Sequence, residues 1–445
     1  MKYYINSFDI TPEKPVYLCG LPSESKYKKI LDNICLRVLV LEGSPVGLII
    51  INLDLLLISS ILFNKVREII DENKFILLMN ATHTHCAPNV GGFVDGQEVS
   101  NDYINLIVNK IKGALIKNEN MFYSDCTMSI ASINFPLNIN RRKYVRPLSA
   151  LIKGHFKKKV MNRPNPEGDC DSELIAIKII DKNNKIRAFI INYACHPSVI
   201  RDPVVSADFP GRIQRHLSRF YGYEVIVFFL QGFAGDIKAN ILEEWSDIIY
   251  NFKKLIVTLI EGRQFKKDCS QYHINNFGSK IADAILSIED DRFENIPIEI
   301  SSKEVEIDLP FNKIHSRQDI LDYNSTNKAD QMWKERVLFI NNNLKTKSFT
   351  IKRVDINSNI SFLTMPGEIF SRYSLDFKKI VPPKRIIPLG YTNGMVGYIP
   401  TAQAINEGGY EVERSYKGYS LPGEYSADIE PLIIDAVRRL YSDWL

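Results

Sequence analysis

Seven histidines occur in the chain, and three of them, His83, His85 and His196, follow directly on apolar runs. Phe75-Ile76-Leu77-Leu78-Met79-Asn80 leads into Ala81-Thr82-His83-Thr84-His85, and Phe189-Ile190-Ile191-Asn192-Tyr193-Ala194 leads into Cys195-His196-Pro197. Imidazole is the commonest protein ligand for metals, and three protein ligands with one open position suit a catalytic zinc. In an extended segment residues i and i+2 share a face, so His83 and His85 would present two imidazoles to one reaction centre. The same spacing also fits a turn or a satisfied core pair, and His196 before Pro197 also fits a capped strand edge. His155, His216, His273 and His315 stand in polar or helical contexts and read as surface residues.

Three further polar clusters follow apolar runs: Gln231-Gly232-Phe233-Ala234-Gly235-Asp236, Met365-Pro366-Gly367-Glu368 and Gly390-Tyr391-Thr392-Asn393-Gly394. Ligands of open α/β sheets bind outside the carboxyl ends of strands, so five such ends would converge on one site. Glu368 either aims its carboxylate at the sheet mouth or opens the next helix, where its charge suits the N-terminal dipole. Tyr398 and Tyr410, in the Gly-rich stretch 394–411, also fit packing aromatics. Asp208 and Asp236 fit ligands, partners of ligands or caps. The chain has no phosphate-binding Gly-Lys-Ser/Thr, no G-x-S-x-G elbow and no His-Glu-x-x-His.

The elements that must position these residues alternate in type. Residues 36–41 and 46–51, around Gly43-Ser44-Pro45, read as a hairpin, as do 174–180 and 187–193 around an Asp-Lys-Asn-Asn turn. Strands are expected at 75–79, 225–230, 360–365 and 385–389. Helices are expected at 61–73, 103–117, 210–220, 247–262, 278–288, 329–343, 369–380 and 428–444. Segments 140–172 and 310–328 are polar and irregular and read as long loops or lids. The alternation predicts an α/β architecture of layered mixed sheets with flanking helices.

Composition narrows the function classes. With 45% hydrophobic and 24% charged residues over 445 positions, the chain can bury a large core, which excludes global disorder. Fifty-six basic residues against 52 acidic ones leave a net charge of +4, too little for a nucleic-acid-binding field. The seven cysteines are odd in number and form no C-x-x-C pair, so neither a disulfide framework nor a zinc ribbon is expected. The first fifteen residues contain no apolar h-region, which with the reduced thiols points to a cytoplasmic protein. The most apolar stretch, 46–63, is interrupted by Asn52 and Asp54 and reads as buried strand, not as a membrane span.

The motifs, in order, resemble the neutral/alkaline (non-lysosomal) ceramidase superfamily, specifically its shorter bacterial ceramidase-like members. The matching segments are Asp9-Ile10-Thr11-Pro12, Asn52-Leu53-Asp54, the Ala81–His85 motif, Asn140-Arg141-Arg142, 192–197, 206–211, 229–236, Pro366-Gly367-Glu368, 393–398 and Gly408-Gly409-Tyr410-Glu411. They span nearly the whole chain. The resemblance implies one ceramidase-like catalytic domain over 1–445, binding one zinc per chain through His83, His196, Glu368 and Tyr398. It also implies that His85, Arg141 and Tyr410 hold the carbonyl oxygen of a linear amide; because Lys238 stands where the family carries the serine implicated in attack, water on the zinc is expected to attack directly. No chemistry is implied for Cys86 or Cys195, which read as small core or site-wall residues.

Two departures qualify the resemblance. Lys238 stands where ceramidases carry a serine after Gly-Asp-x. It reads either as a binder of an anionic substrate group or as a solvated or salt-bridged lysine. With a helix expected at 428–444 shortly after Tyr410, the immunoglobulin-like C-terminal domain of the secreted enzymes is not expected here. A soluble small-molecule or peptide-like amide is therefore expected as substrate, with no nucleic acid. An ester, acyl-transfer or amide-forming reaction, or a catalytically inactive binding homologue, remain alternatives.

Overall fold

The expected first hairpin is formed by strands Cys35–Glu42 and Gly47–Leu53, which pair antiparallel in the computed structural model. That structure describes residues 2–20, 26–93, 99–115, 124–154, 156–339 and 344–444. The hairpin lies in a nine-stranded mixed sheet. Its order is Ile226–Gln231, Ile186–Tyr193, Glu173–Asp181, Ser124–Asn134, Lys2–Asp9, Cys35–Glu42, Gly47–Leu53 and Phe75–Ala81, with Glu294–Ile296 added beside Ser124–Asn134. Each end of this sheet is a parallel pair: Ile186–Tyr193 with Ile226–Gln231, and Gly47–Leu53 with Phe75–Ala81. A five-stranded sheet runs Arg385–Leu389, Ile360–Thr364, Thr346–Asn357, Ser301–Ile314 and Gly423–Tyr425. It contributes a third parallel pair, Ile360–Thr364 with Arg385–Leu389.

Strand alternation divides the apolar side chains between two cores. Leu39, Leu41, Leu48, Ile50, Ile177 and Phe228 point inward and form one cluster with Val354, Ile356, Phe362 and Ile387 of the second sheet. Their neighbours Val38, Val40, Ile49 and Ile51 face the other way and join Leu62, Ile104, Ile107, Phe209 and Ile213 from the helices. The result is layered mixed sheets with flanking helices, as the alternation of elements implied. Each fully buried aliphatic side chain contributes roughly 1.5–3 kcal/mol, so sheet-on-sheet contact is a main stabilising term.

Several boundaries move. The helix expected at 61–73 is Ser60–Arg67, capped by Ser59, and gives way to a turn in which Lys74 N donates to Asp71 O. The helix expected at 247–262 is two helices, Trp245–Ile249 and Phe252–Glu261, because Asn251 caps the second by accepting from Lys254 N. The end of the expected 329–343 helix lies outside the described residues; Lys328–Phe339 is helical. The larger correction concerns the two polar segments. Residues 140–172 contain an antiparallel pair, Asn138–Val145 with Lys159–Asn165, and 310–328 contain the end of strand Ser301–Ile314 and helix Arg317–Asp322. Asn138–Val145 buries polar side chains (Asn138, Asn140, Arg141 and Arg142) and Lys159–Asn165 is partly exposed, so neither strand shows an apolar pattern to a hydrophobicity reading. Among the described residues no helix is long and apolar enough to cross a membrane.

Candidate functional site

The carboxyl ends of the three parallel pairs meet, and buried amides stitch them together. Gln231 donates to Cys195 O at 2.8 Å and to Thr82 O at 3.3 Å, and it accepts from Cys195 N. Asn80 donates to Gly390 O and accepts from Gln231 N, while Asn192 bridges Leu230 O and Pro388 O. Ala81 N donates to Tyr391 O, and Tyr391 N to Gly367 O. All five expected strand-end clusters therefore converge. Asn80, Asn192 and Gln231 are at most 5% exposed, so these hydrogen bonds lock the loops in a low-dielectric interior.

Into this floor point the histidines. The rings of His83 and His85 lie 5.0 Å apart and those of His83 and His196 lie 4.7 Å apart. The ligand atoms of His83, His85 and His196 all fall within 4.8 Å of one another. The route differs from the expected strand alternation: the strand ends at Ala81, and His83 takes a left-handed φ of 70°. A non-glycine residue in that region is strained, and strain of this kind concentrates at functional sites. His83 Nδ1 donates to Leu56 O at 2.6 Å and His85 Nδ1 to Gly20 O at 3.1 Å, since a carbonyl can only accept. The Nε2 atom of His85 is thereby left with a lone pair, and that of His83 faces Glu368.

Glu368 lies against two of these rings, with Oε2 3.3 Å from His83 Nε2 and 3.1 Å from His196 Nε2. Tyr419 donates to its Oε1 and Tyr391 to its Oε2. Burial pushes the Glu368 carboxyl up, but the adjacent imidazoles of His83 and His196 outweigh it and hold the group well below the usual carboxylate range. Burial, then the Arg141 charge, pushes His196 down to about 3, and burial with the neighbouring rings lowers His85 well below its usual value. Near neutrality His85 and His196 are thus uncharged beside a carboxylate. The geometry of Glu368 depends on Gly235: a Cβ there would meet Glu368 O at 2.3 Å.

Above the floor is a cavity of about 570 Å³ lined by His85, Arg141, Lys238, Tyr398 and Tyr410 among others. Arg141 is 7% exposed. Its Nε donates to Glu411, its Nη2 donates to Gly235 O and to the Tyr398 hydroxyl at 3.0 Å, and its Nη1 lies 3.5 Å from His196 Nε2. Tyr398 is also placed by strand pairing directly opposite Glu368. Tyr410 is 45% exposed at the cavity, with its ring 6.1 Å from that of Tyr398. All seven expected site residues therefore share one region.

The remaining candidates sort differently. Asp208 accepts from Val199 N, Ile200 N and Phe209 N, and Asp236 accepts from Asn140 and Ser371 N, so both tie loops. Cys86 and Cys195 are buried in the apolar core, the first of the two positions expected for them, and burial raises both thiols well above their usual values. The expectation of surface positions fails for His315, which is half-buried against Tyr416 and Trp333, and for His216, half-buried between Ser279 and Asp283. His273 is half-buried where it caps its own helix, and His155 lies outside the described residues. The sequence reading assigned no role to Tyr391, Tyr419 or Glu411. Tyr391 and Glu411 stand inside quoted motifs, whereas nothing in its neighbours marked Tyr419.

Lys238 resolves one of its two readings. It is 6% exposed on strand Ile237–Ala239, in a bridge to His196, and no carboxylate lies within ion-pair distance among the described residues. It has no salt bridge among the described residues, and what little of it is exposed faces the cavity. Burial, reinforced by the Arg201 and Arg141 charges, pushes its ammonium down to about 7.

No protein-family model matches the chain, and no curated protein sequence matches it. Solved structures similar to the chain include two ceramidases. One is neutral ceramidase from Pseudomonas aeruginosa, at a TM-score of 0.68 and 17% identity, covering 99% of this chain and 74% of that one. The other is a ceramidase complexed with C2, at a TM-score of 0.70 and 17% identity, covering 99% and 75%. The chain has a neutral ceramidase-like fold.

Proposed function

We propose that this chain is a zinc-dependent amidohydrolase acting on a linear C–N bond of a small-molecule or peptide-like substrate. One observation carries the reading. Imidazole nitrogens of His83, His85 and His196 lie within 4.8 Å of one another at a cavity floor, with Nε2 of His83 and of His196 beside the Glu368 carboxylate and Nε2 of His85 buried without a hydrogen-bond partner. Buried polar atoms left unpaired are costly, and a metal ion is the partner this donor set suits. His83, His196, Glu368 and Tyr398 would hold one zinc, a nitrogen and oxygen set appropriate to that ion. Zinc would supply Lewis-acid polarisation of the carbonyl and a water acidic enough to attack near neutral pH.

The chain's own groups do the rest. Leu56 O fixes the His83 tautomer, and Tyr419 and Tyr391 fix the rotation of the Glu368 carboxylate. Arg141, His85 and Tyr410 offer a guanidinium, an imidazole and a phenol to the oxygen that gains charge as the carbonyl becomes tetrahedral. Each such donor contributes about 3 kcal/mol to barrier lowering in well-studied cases. Glu411 holds Arg141 from behind, so the guanidinium is oriented before substrate arrives.

A second reading concerns His85. Its nitrogen falls in the same tight group as those of His83 and His196, so it can serve as a third metal ligand and not as an oxyanion donor. Metal analysis decides. We expect about one zinc per chain, lost in His196→Ala and retained in His85→Ala, together with hydrolysis of amides in a panel that includes matched esters. A wild type that binds no zinc when supplied with it would refute the metallohydrolase. Zinc loss in His85→Ala would favour the triad, and faster turnover of esters would change the bond assigned.

A further inference from the structure

The cavity above the histidines has a one-sided charge. Five cationic side chains line it, Arg141, Arg142, Arg201, Lys238 and Arg414, against the single carboxylate Glu411. Glu411 holds Arg141 at 3.1 Å and Arg142 at 2.6 Å, and Arg142 is further bonded to Gly408 O. Arg201, Lys238 and Arg414 have no carboxylate within ion-pair distance among the described residues. Arg201 and Arg414 are exposed and would be hydrated, so they alone would carry no inference. Lys238 is different. It is almost fully buried, and the Phe265 ring, 4.8 Å from Nζ, is the partner its ammonium has.

A buried ammonium without a counter-charge destabilises a fold, and nothing in the architecture requires it at this position. The strand carrying Lys238 pairs through its backbone with Ile139, which any side chain would permit. The backbone bridge between Lys238 and His196 sets its strand beside the histidine floor, and the side chain lines both the main cavity and a smaller adjoining one shared with His196, Arg201 and Phe265. An unpaired cation at the wall of a substrate cavity, next to the reacting groups, is complementary to an anion on the substrate.

We propose that Lys238, assisted by Arg201, binds an oxyanion of the substrate a few bonds from the scissile amide. The substrate class is then an anionic amide, of which an N-acyl amino acid is the simplest form. This inference rests on the amidohydrolase reading for the bond cleaved, but not for the charge recognised.

The test uses probes that differ in charge alone. Calorimetry on the zinc-supplied protein compares N-octanoylglycine with N-octanoylglycinamide, and a third probe, N-octanoyl-phosphoethanolamine, separates phosphate from carboxylate recognition. Wild type should bind one of the two anions at least about tenfold more tightly than the neutral amide. Lys238→Met should remove that preference while leaving binding of N-octanoylglycinamide unchanged. Arg201→Gln, at an exposed position that does not threaten folding, should reduce the preference and its salt dependence. Equal affinity for charged and neutral probes, binding of none of them, or a preference untouched by Lys238→Met overturns the inference. If the charge preference holds but no amide is cleaved, the amidohydrolase reading fails and anion recognition stands. If both amides are cleaved equally by wild type and Lys238→Met, the reverse is true.

Discussion

Replacing Lys238 by methionine should make the protein more stable, and the gain should fade as the pH rises. Methionine keeps most of the length of the side chain and removes its charge. Burial lowers the lysine from its ordinary 10.5 to about 7 in the folded protein. Between those values the unfolded chain binds more protons than the folded one, so wild-type stability rises with pH across that window and is lowest, and level, below it. Worked from the linkage relation, the penalty on the wild-type fold is roughly 4 kcal/mol at about pH 7, roughly 2 at about pH 9 and under ~0.5 at about pH 10.5. These are upper values, because relaxation around a buried charge softens the penalty; a gain of about 2–4 kcal/mol near neutrality is expected. Urea unfolding of both proteins in chelator, at matched pH, reads the difference without a contribution from metal. A methionine variant no more stable than wild type at neutral pH would refute the argument. So would a gain that stays constant between about pH 7 and pH 10, since a lost packing or backbone effect has no reason to titrate.

Other outcomes follow from the site. Tyr419→Phe removes the hydroxyl that orients Glu368, and zinc affinity measured by chelator competition should fall about 10–100-fold; unchanged affinity would separate this tyrosine from the metal. Gly235→Ala forces a Cβ against Glu368 O and should abolish zinc retention while the far-ultraviolet circular dichroism stays native. Retained zinc would show that the loop yields without moving its carboxylate. Glu411→Gln leaves the buried Arg141 without its carboxylate partner and Arg142 with only the longer contact to Glu407, so urea unfolding should report a loss of about 3 kcal/mol. Arg141→Lys should lower kcat on a cleaved amide by about 10²-fold with KM little changed, the pattern of a group acting on the transition state. A rise in KM alone would make Arg141 a substrate binder.

The strands leading into His83, His196 and Glu368 were legible because they are buried on both faces and read as continuous apolar runs. The strand carrying Arg141 was not, since the side chains it buries are polar and its partner strand is partly exposed. Lys2–Asp9, Ser301–Ile314 and Thr346–Asn357 were missed for a related cause: their exposed faces carry charge, and their pairing is decided by distant partners. The layered α/β class could still be read, because class follows from the alternation of elements and not from each boundary.

Within the site, residue type alone supplied the imidazoles, the carboxylate and the phenols, and motif order tied them to one fold. Tertiary structure decided how they meet. His83 reaches its partners through a left-handed backbone that no spacing rule anticipates, and Glu368 is aimed by Tyr419, a residue 51 positions away. For Lys238 the sequence left solvation and anion binding equally open, because a lysine's charge is visible in sequence but its surroundings are not. Only the packed chain shows that the ammonium is buried without a counter-charge, since desolvation is a property of what the fold brings around a group.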